Sequence, residues 1–122
     1  MEYDLNDRTM KFSKEIIIFL QDIPKNFITL PIASQLVRSA TSIGANYCEA
    51  DNAVSKKDFV NKIGVVKKEA KETTYWLNLL ATALPEEKER IEKLKNEADE
   101  LHKIFNSIFQ KTKNNMNNDN NR

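Results

Sequence analysis

The residues best suited to nucleophilic or metal chemistry occur once each in this chain: Cys48 and His102. A thiol nucleophile needs a base within hydrogen-bond reach and a third group to orient that base. Cys48 and His102 fall in different helical blocks and no orienting residue is signalled, so they read as a partly buried thiol and a helix-edge imidazole. Asp99 stands three residues before His102, but a di-iron bundle requires a Glu-x-x-His from each of two helices, and there is no second histidine. Structural zinc fails on the same count. Gly44 and Gly64 stand alone inside helical patterns, which excludes a glycine-rich phosphate loop. Each costs about 1 kcal/mol relative to alanine, so each predicts a point of close helix approach. The expectation is a protein without catalytic residues, metal or cofactor.

Charge offers more. Around the third helical block, Lys56, Lys57, Lys67, Lys68 and Lys71 project within roughly 120° of arc, away from the apolar stripe. Such a cluster neutralises phosphates, which predicts salt-sensitive, weakly sequence-selective binding of RNA or DNA. The competing reading is an ordinary solvated helix face. No aromatic residue interleaves with these lysines, so base stacking is not expected. On the same helix Glu69 and Glu72 lie off the lysine face, beside the flank of Val65 and Trp76. Arg38 is the only cation inside the second block, and a bidentate Arg–carboxylate pair, within or between chains, would fix helix register. If that pair is buried, removing one partner costs about 3–5 kcal/mol; the alternative is a solvated charge set.

The segment carrying Arg38, QLVRSATSIGANYCEA from Gln35 to Ala50, has an unusual face. Wound at about 100° per residue, it gathers Leu36, Val37, Ala40, Ile43, Gly44 and Tyr47 on one side and Gln35, Arg38, Ser39, Ser42, Asn46 and Glu49 on the other. A face that meets only water is normally rich in Lys and Glu. This one is small and mostly uncharged, which predicts contact with protein. Trp76 and Ile18 also point away from their own apolar stripes. A symmetric homo-oligomer is the simplest way to cover several faces.

Four helical blocks position these groups. Leu5, Phe12, Ile16, Phe19 and Ile23 mark the first, over about Asp4 to Asp22, and Pro24 ends it. The second runs from Thr29 or Leu30 to about Ala50, with Pro31 in its first turn. In the third, Ser55 and Asp58 form a capping-box pattern ahead of Phe59, Ile63, Val66, Ala70, Thr73, Leu77, Leu80 and Leu84. The fourth opens at Pro85, with acidic residues suited to a helix N-terminus, and repeats Ile91, Leu94, Ala98, Leu101, Phe105 and Ile108. Heptad spacing also suits a long coiled coil, but the short connections predict an all-α, antiparallel up-down-up-down four-helix bundle over residues 1–112. From Lys113 the Asn-rich sequence has little to bury and is expected to be a disordered tail over 113–122.

Composition agrees. A chain of 122 residues suffices for one domain with a real core, and 2 glycines and 3 prolines favour helix over sheet. With 19 basic and 18 acidic residues, no global field recruits nucleic acid or an anionic membrane. One cysteine suits a reducing compartment, no apolar run spans a bilayer, and MEYDLNDR is not a secretory signal, so a soluble cytoplasmic protein is expected.

Three stretches taken together, DLNDRTMKFS, QLVRSATSIGANYCEA and SKKDFVNKIGVVKKEAKETTYWLNLL, resemble the four-helix bundle proteins of the rRNA intervening-sequence family, encoded in insertions within bacterial large-subunit rRNA genes and elsewhere. The resemblance covers about the first eighty-five residues, with RSATSIGAN and EAKETTYWL its most specific parts. It implies a cytoplasmic bundle assembling as a ring-like homopentamer. The related accessory variability protein of diversity-generating retroelements acts with a reverse transcriptase and nucleic acid through a strongly basic surface. This chain departs from it, with a net charge of +1. No catalytic residue carries over, and Arg38, Ser39, Ser42, Asn46, Glu49, Glu69, Glu72 and Trp76 are expected as structural or interface determinants. Two functions remain open: a homo-oligomeric accessory or scaffold that binds RNA or DNA, and a protein-interaction module with no nucleic-acid contact.

Overall fold

The structure, a computed structural model, describes residues 4–120; residues 1–3, within the opening segment, and 121–122, within the expected tail, lie outside the described residues. Four helices are formed, α1 (Leu5–Asp22), α2 (Thr29–Asp51), α3 (Lys56–Ala83) and α4 (Lys88–Asn120), with one 3₁₀ turn at Pro85–Glu87. Each start has a local cause. The Asp4 carboxylate accepts the Asp7 N–H at 3.1 Å, and the Ser55 hydroxyl accepts the Asp58 N–H at 3.1 Å, each satisfying an otherwise orphaned donor. At α2 the service comes from two residues further back: Asn26 Oδ1 accepts from the N–H groups of Ile28 and Thr29. Thr29 Oγ1 in turn donates to the Pro24 carbonyl at 2.7 Å, which ties the turn to the helix.

Connections of a few residues force each helix to run back along its predecessor, giving the expected antiparallel four-helix bundle. α3 is central, packed along α2 on one side and α4 on the other; α1 lies on α2 and touches α4 lightly. The stripes meet in one core. Phe12, Ile16 and Phe19 face Leu36, Ala40 and Ile43, and Ile63, Val66, Ala70, Leu77 and Leu80 face Ile91, Ala98, Leu101 and Phe105. Each large side chain fully buried there contributes about 1.5–3 kcal/mol relative to exposure. Leu5, Phe59 and Ile108 sit at the ends of their stripes and are only partly buried, while Val60 is buried in place of Phe59.

The glycines behave as their isolation predicted. A Cβ on Gly44 would lie 3.1 Å from Thr9 Oγ1, and one on Gly64 would lie 3.2 Å from the Phe109 ring, so both mark close helix approach. At its far end α4 differs from expectation. Residues 113–120 continue as helix where a disordered tail was expected, because each residue added to an existing helix gains a hydrogen bond without a new nucleation cost. The described side chains of this extension are exposed apart from the half-buried Met116, so the packed bundle still ends near Thr112. Among the described residues no helix is long and apolar enough to cross a membrane.

Candidate nucleic-acid interface and assembly face

The lysine cluster divides into two. Lys67, Lys68 and Lys71 line a groove of about 580 Å³ between α3 and α4, together with Glu72, Thr74, Tyr75, Asn78 and His102. Lys56 and Lys57 are exposed on the first turn of α3, about 15 Å along the helix from Lys67, and do not line the groove. Within the groove the cations differ. Lys67 Nζ donates to Asn106 Oδ1 at 3.1 Å and stands 4.2 Å above the Phe109 ring, so it is already held. Lys68 and Lys71 are exposed, and neither forms an ion pair among the described residues.

His102 enters this groove from α4. Burial pushes its pKa below the usual 6.5, with Lys71 and then Lys67 adding to the shift and Asp99 opposing it. Burial is the main cause of that preference for the neutral ring, and the two lysines place positive charge beside it. Asp99, which offsets part of that charge, accepts a hydrogen bond from Thr74 Oγ1 at 3.1 Å. Tyr75 corrects the expectation that no aromatic residue accompanies the lysines. It is four residues beyond Lys71, lines the same groove and is 57% exposed, with its ring edge-on to Trp76 at 5.0 Å between centroids. A spacing of four along α3 was available to find it.

On the other flank of α3, Arg38 makes the ion pairs expected of it, and both lie within one chain. Its guanidinium reaches Glu69 at 3.1 Å and also pairs with Glu72. Trp76 Nε1–H donates to Glu72 at 3.3 Å, and Gln35 Oε1 accepts from Arg38 Nε at 3.2 Å, so Gln35, Arg38, Glu69, Glu72 and Trp76 form one connected cluster. The pair is not buried: the Arg38 side chain is 45% exposed. Its chemical effect is to give both carboxylates a cation of their own, although Glu72 still lines the groove beside Lys68 and Lys71.

The rest of the small polar face of α2 is spoken for within the helix or by α3. Ser42 Oγ donates to the Arg38 carbonyl at 2.6 Å and Asn46 Nδ2 to the Ser42 carbonyl at 2.8 Å, back-bonding that leaves few free donors outward. Glu49 accepts from Lys62 at 2.9 Å. Ser39 departs from the projected face: it is fully buried, 3.0 Å from the Thr73 hydroxyl of α3. The apolar surface left uncovered lies elsewhere. Between α1 and α2, Ile17, Leu20, Leu30, Ala33 and Val37 line a shallow groove, continued by Met10, Gly44, Ala45 and Cys48. Ile18 stands apart, in a cleft between α1 and α4 with Arg90 and Lys93.

Cys48 and His102 therefore occupy different grooves and form no dyad. Among the described residues no three His, Cys, Asp or Glu side chains gather where they could hold a metal ion.

The fold and its surfaces define an all-α four-helix bundle with a basic groove and an apolar face. The chain belongs to the 23S rRNA-intervening sequence protein family, whose pattern matches residues 1–107. A solved structure of a protein of unknown function from the S23 ribosomal protein family, from Bacteroides thetaiotaomicron, is similar, with 36% identity and a TM-score of 0.77. The similarity covers 85% of this chain and 96% of that one. No curated protein matches the chain.

Proposed function

We propose that this chain is a non-enzymatic, homo-oligomeric accessory or scaffold protein that binds nucleic acid through the α3–α4 groove. The observation that carries the reading is the arrangement of Lys68 and Lys71: exposed, unpaired among the described residues, and side by side in one groove. Phosphate oxygens are the ligands such a site attracts, and the interaction releases counterions and weakens with salt. Repetition of the groove around a symmetric ring of copies multiplies a weak contact into useful avidity. The apolar α1–α2 face supports self-association, because Ile17, Leu30 and Val37 lie along one uncovered strip. A ring of five copies is the assembly that family resemblance implies.

Light scattering of the full chain, with and without RNA at low and high salt, tests both parts. The expected result is one closed oligomer that gains mass with RNA at low salt only. Loss of the gain in the double variant Lys68→Glu, Lys71→Glu, with the oligomer intact, assigns it to the groove. A second reading is favoured by the near-neutral net charge of +1: the oligomer presents its surface to a protein, such as a reverse transcriptase, without touching nucleic acid. RNA that leaves the scattering mass unchanged at both salts selects that reading.

A further inference from the structure

Resting on the nucleic-acid reading above, we propose that the α3–α4 groove prefers single strands to duplexes, stacking an unpaired base on Tyr75 while Lys68 and Lys71 hold the adjoining phosphates. Three observations converge. Tyr75 is a large ring left 57% exposed on a surface where the helix could carry any polar residue, and its edge-on contact with Trp76 fixes its orientation. Trp76 is itself anchored by its bond to Glu72, so the platform is braced from behind. The ring also stands seven residues from Lys68 and four from Lys71, about 10 Å and 6 Å along the helix axis, on the same side.

That combination separates strand types. A duplex offers its phosphates to lysines but keeps its base faces stacked inside, where Tyr75 cannot reach them. An unpaired strand offers both, and base–aromatic stacking tolerates any sequence because every base has a π-face. Asn78, one turn beyond Tyr75 in the same groove, is placed to bond a base edge without dictating its identity. Glu72 also lines the groove, and its pairing with Arg38 offsets part of the repulsion it exerts on the strand.

Fluorescence anisotropy of the intact oligomer with a labelled oligouridylate and with a blunt RNA duplex tests this. Single-strand binding is expected to be at least about tenfold tighter. Tyr75→Ala should weaken it by about tenfold, within the range measured for one stacked base, whereas Tyr75→Phe should retain it. The salt dependence should persist in Tyr75→Ala, at about 0.7 in log–log slope per phosphate held. Equal or tighter duplex binding overturns the proposal, as does an unchanged affinity in Tyr75→Ala or an equal loss in Tyr75→Phe. In those cases, loss of binding in Lys68→Glu, Lys71→Glu still upholds phosphate recognition. If the unaltered protein binds neither probe at low salt, the broader nucleic-acid reading falls with it.

Discussion

Thr9 of α1 lies against the bare backbone of Gly44 in α2, so closely that a Cβ there would come within 3.1 Å of its hydroxyl and 3.2 Å of its own Cβ. Thr9 cannot yield easily, because it is buried and its hydroxyl is tied to the Leu5 carbonyl at 2.7 Å. Gly44→Ala is therefore expected to destabilise the bundle by about 1 kcal/mol, the overpacking cost exceeding the helix-propensity gain. Gly64 provides the contrast. Its neighbour is the rim of the half-buried Phe109 ring, which can shift, so Gly64→Ala should be neutral or stabilising by up to about 1 kcal/mol. Urea unfolding of both variants checks the pair; equal destabilisation would contradict it.

The Arg38 pairs carry a smaller expected effect than a buried pair would. With the guanidinium 45% exposed, Arg38→Ala should cost about 1 kcal/mol or less, not the 3–5 kcal/mol expected of a fully buried partner. Denaturation midpoints at low and high salt check this, since the loss should shrink as salt screens the pair.

Arg8 and Glu97 join α1 and α4, neighbouring helices that otherwise touch only lightly. Arg8 donates through Nε at 2.8 Å and Nη2 at 2.7 Å, a bidentate contact with side chains only 16% and 28% exposed. A double-mutant cycle on Arg8→Met and Glu97→Gln should give a coupling of about 1–2 kcal/mol, above that of a typical surface pair.

His102 sets a pH dependence. Its folded pKa is below 6.5, so between that value and 6.5 the unfolded chain binds more protons. Stability is then constant above about pH 6.5 and declines as pH falls through the window down to the folded pKa. Lys71→Gln should raise the His102 pKa, because it removes the largest charged contributor after burial. An NMR titration of the single histidine reads both directly.

The bundle was legible because apolar spacing at three and four is a property of each helix alone, and short turns leave few ways to stack four such helices. Capping at Ser55 and the stripe from Ile63 to Leu80 followed from the same local chemistry. What failed depended on the neighbours of a side chain. Ser39 projects with Arg38 and Ser42, yet Thr73 of α3 offers its hydroxyl a buried partner and the residue turns inward. Lys67 shares an arc with Lys68, but Asn106 and Phe109 of α4 claim it. Tyr75 and His102 escaped notice as groove residues because the groove exists only once α4 is laid beside α3. The single cation of α2 could be assigned to Glu69 and Glu72, but its exposure could not be read from a helical projection.

Helices consecutive in the chain are also the ones that pack most closely, and only the light contact of α1 with α4 spans the whole sequence. Little loop entropy must be lost before a stabilising contact forms, which places such a chain among the fast folders, on the order of milliseconds or less. During synthesis, α1 and α2 can begin to pair before α4 has left the ribosome. The apolar α1–α2 strip is then complete at an early stage, before the α3–α4 groove exists.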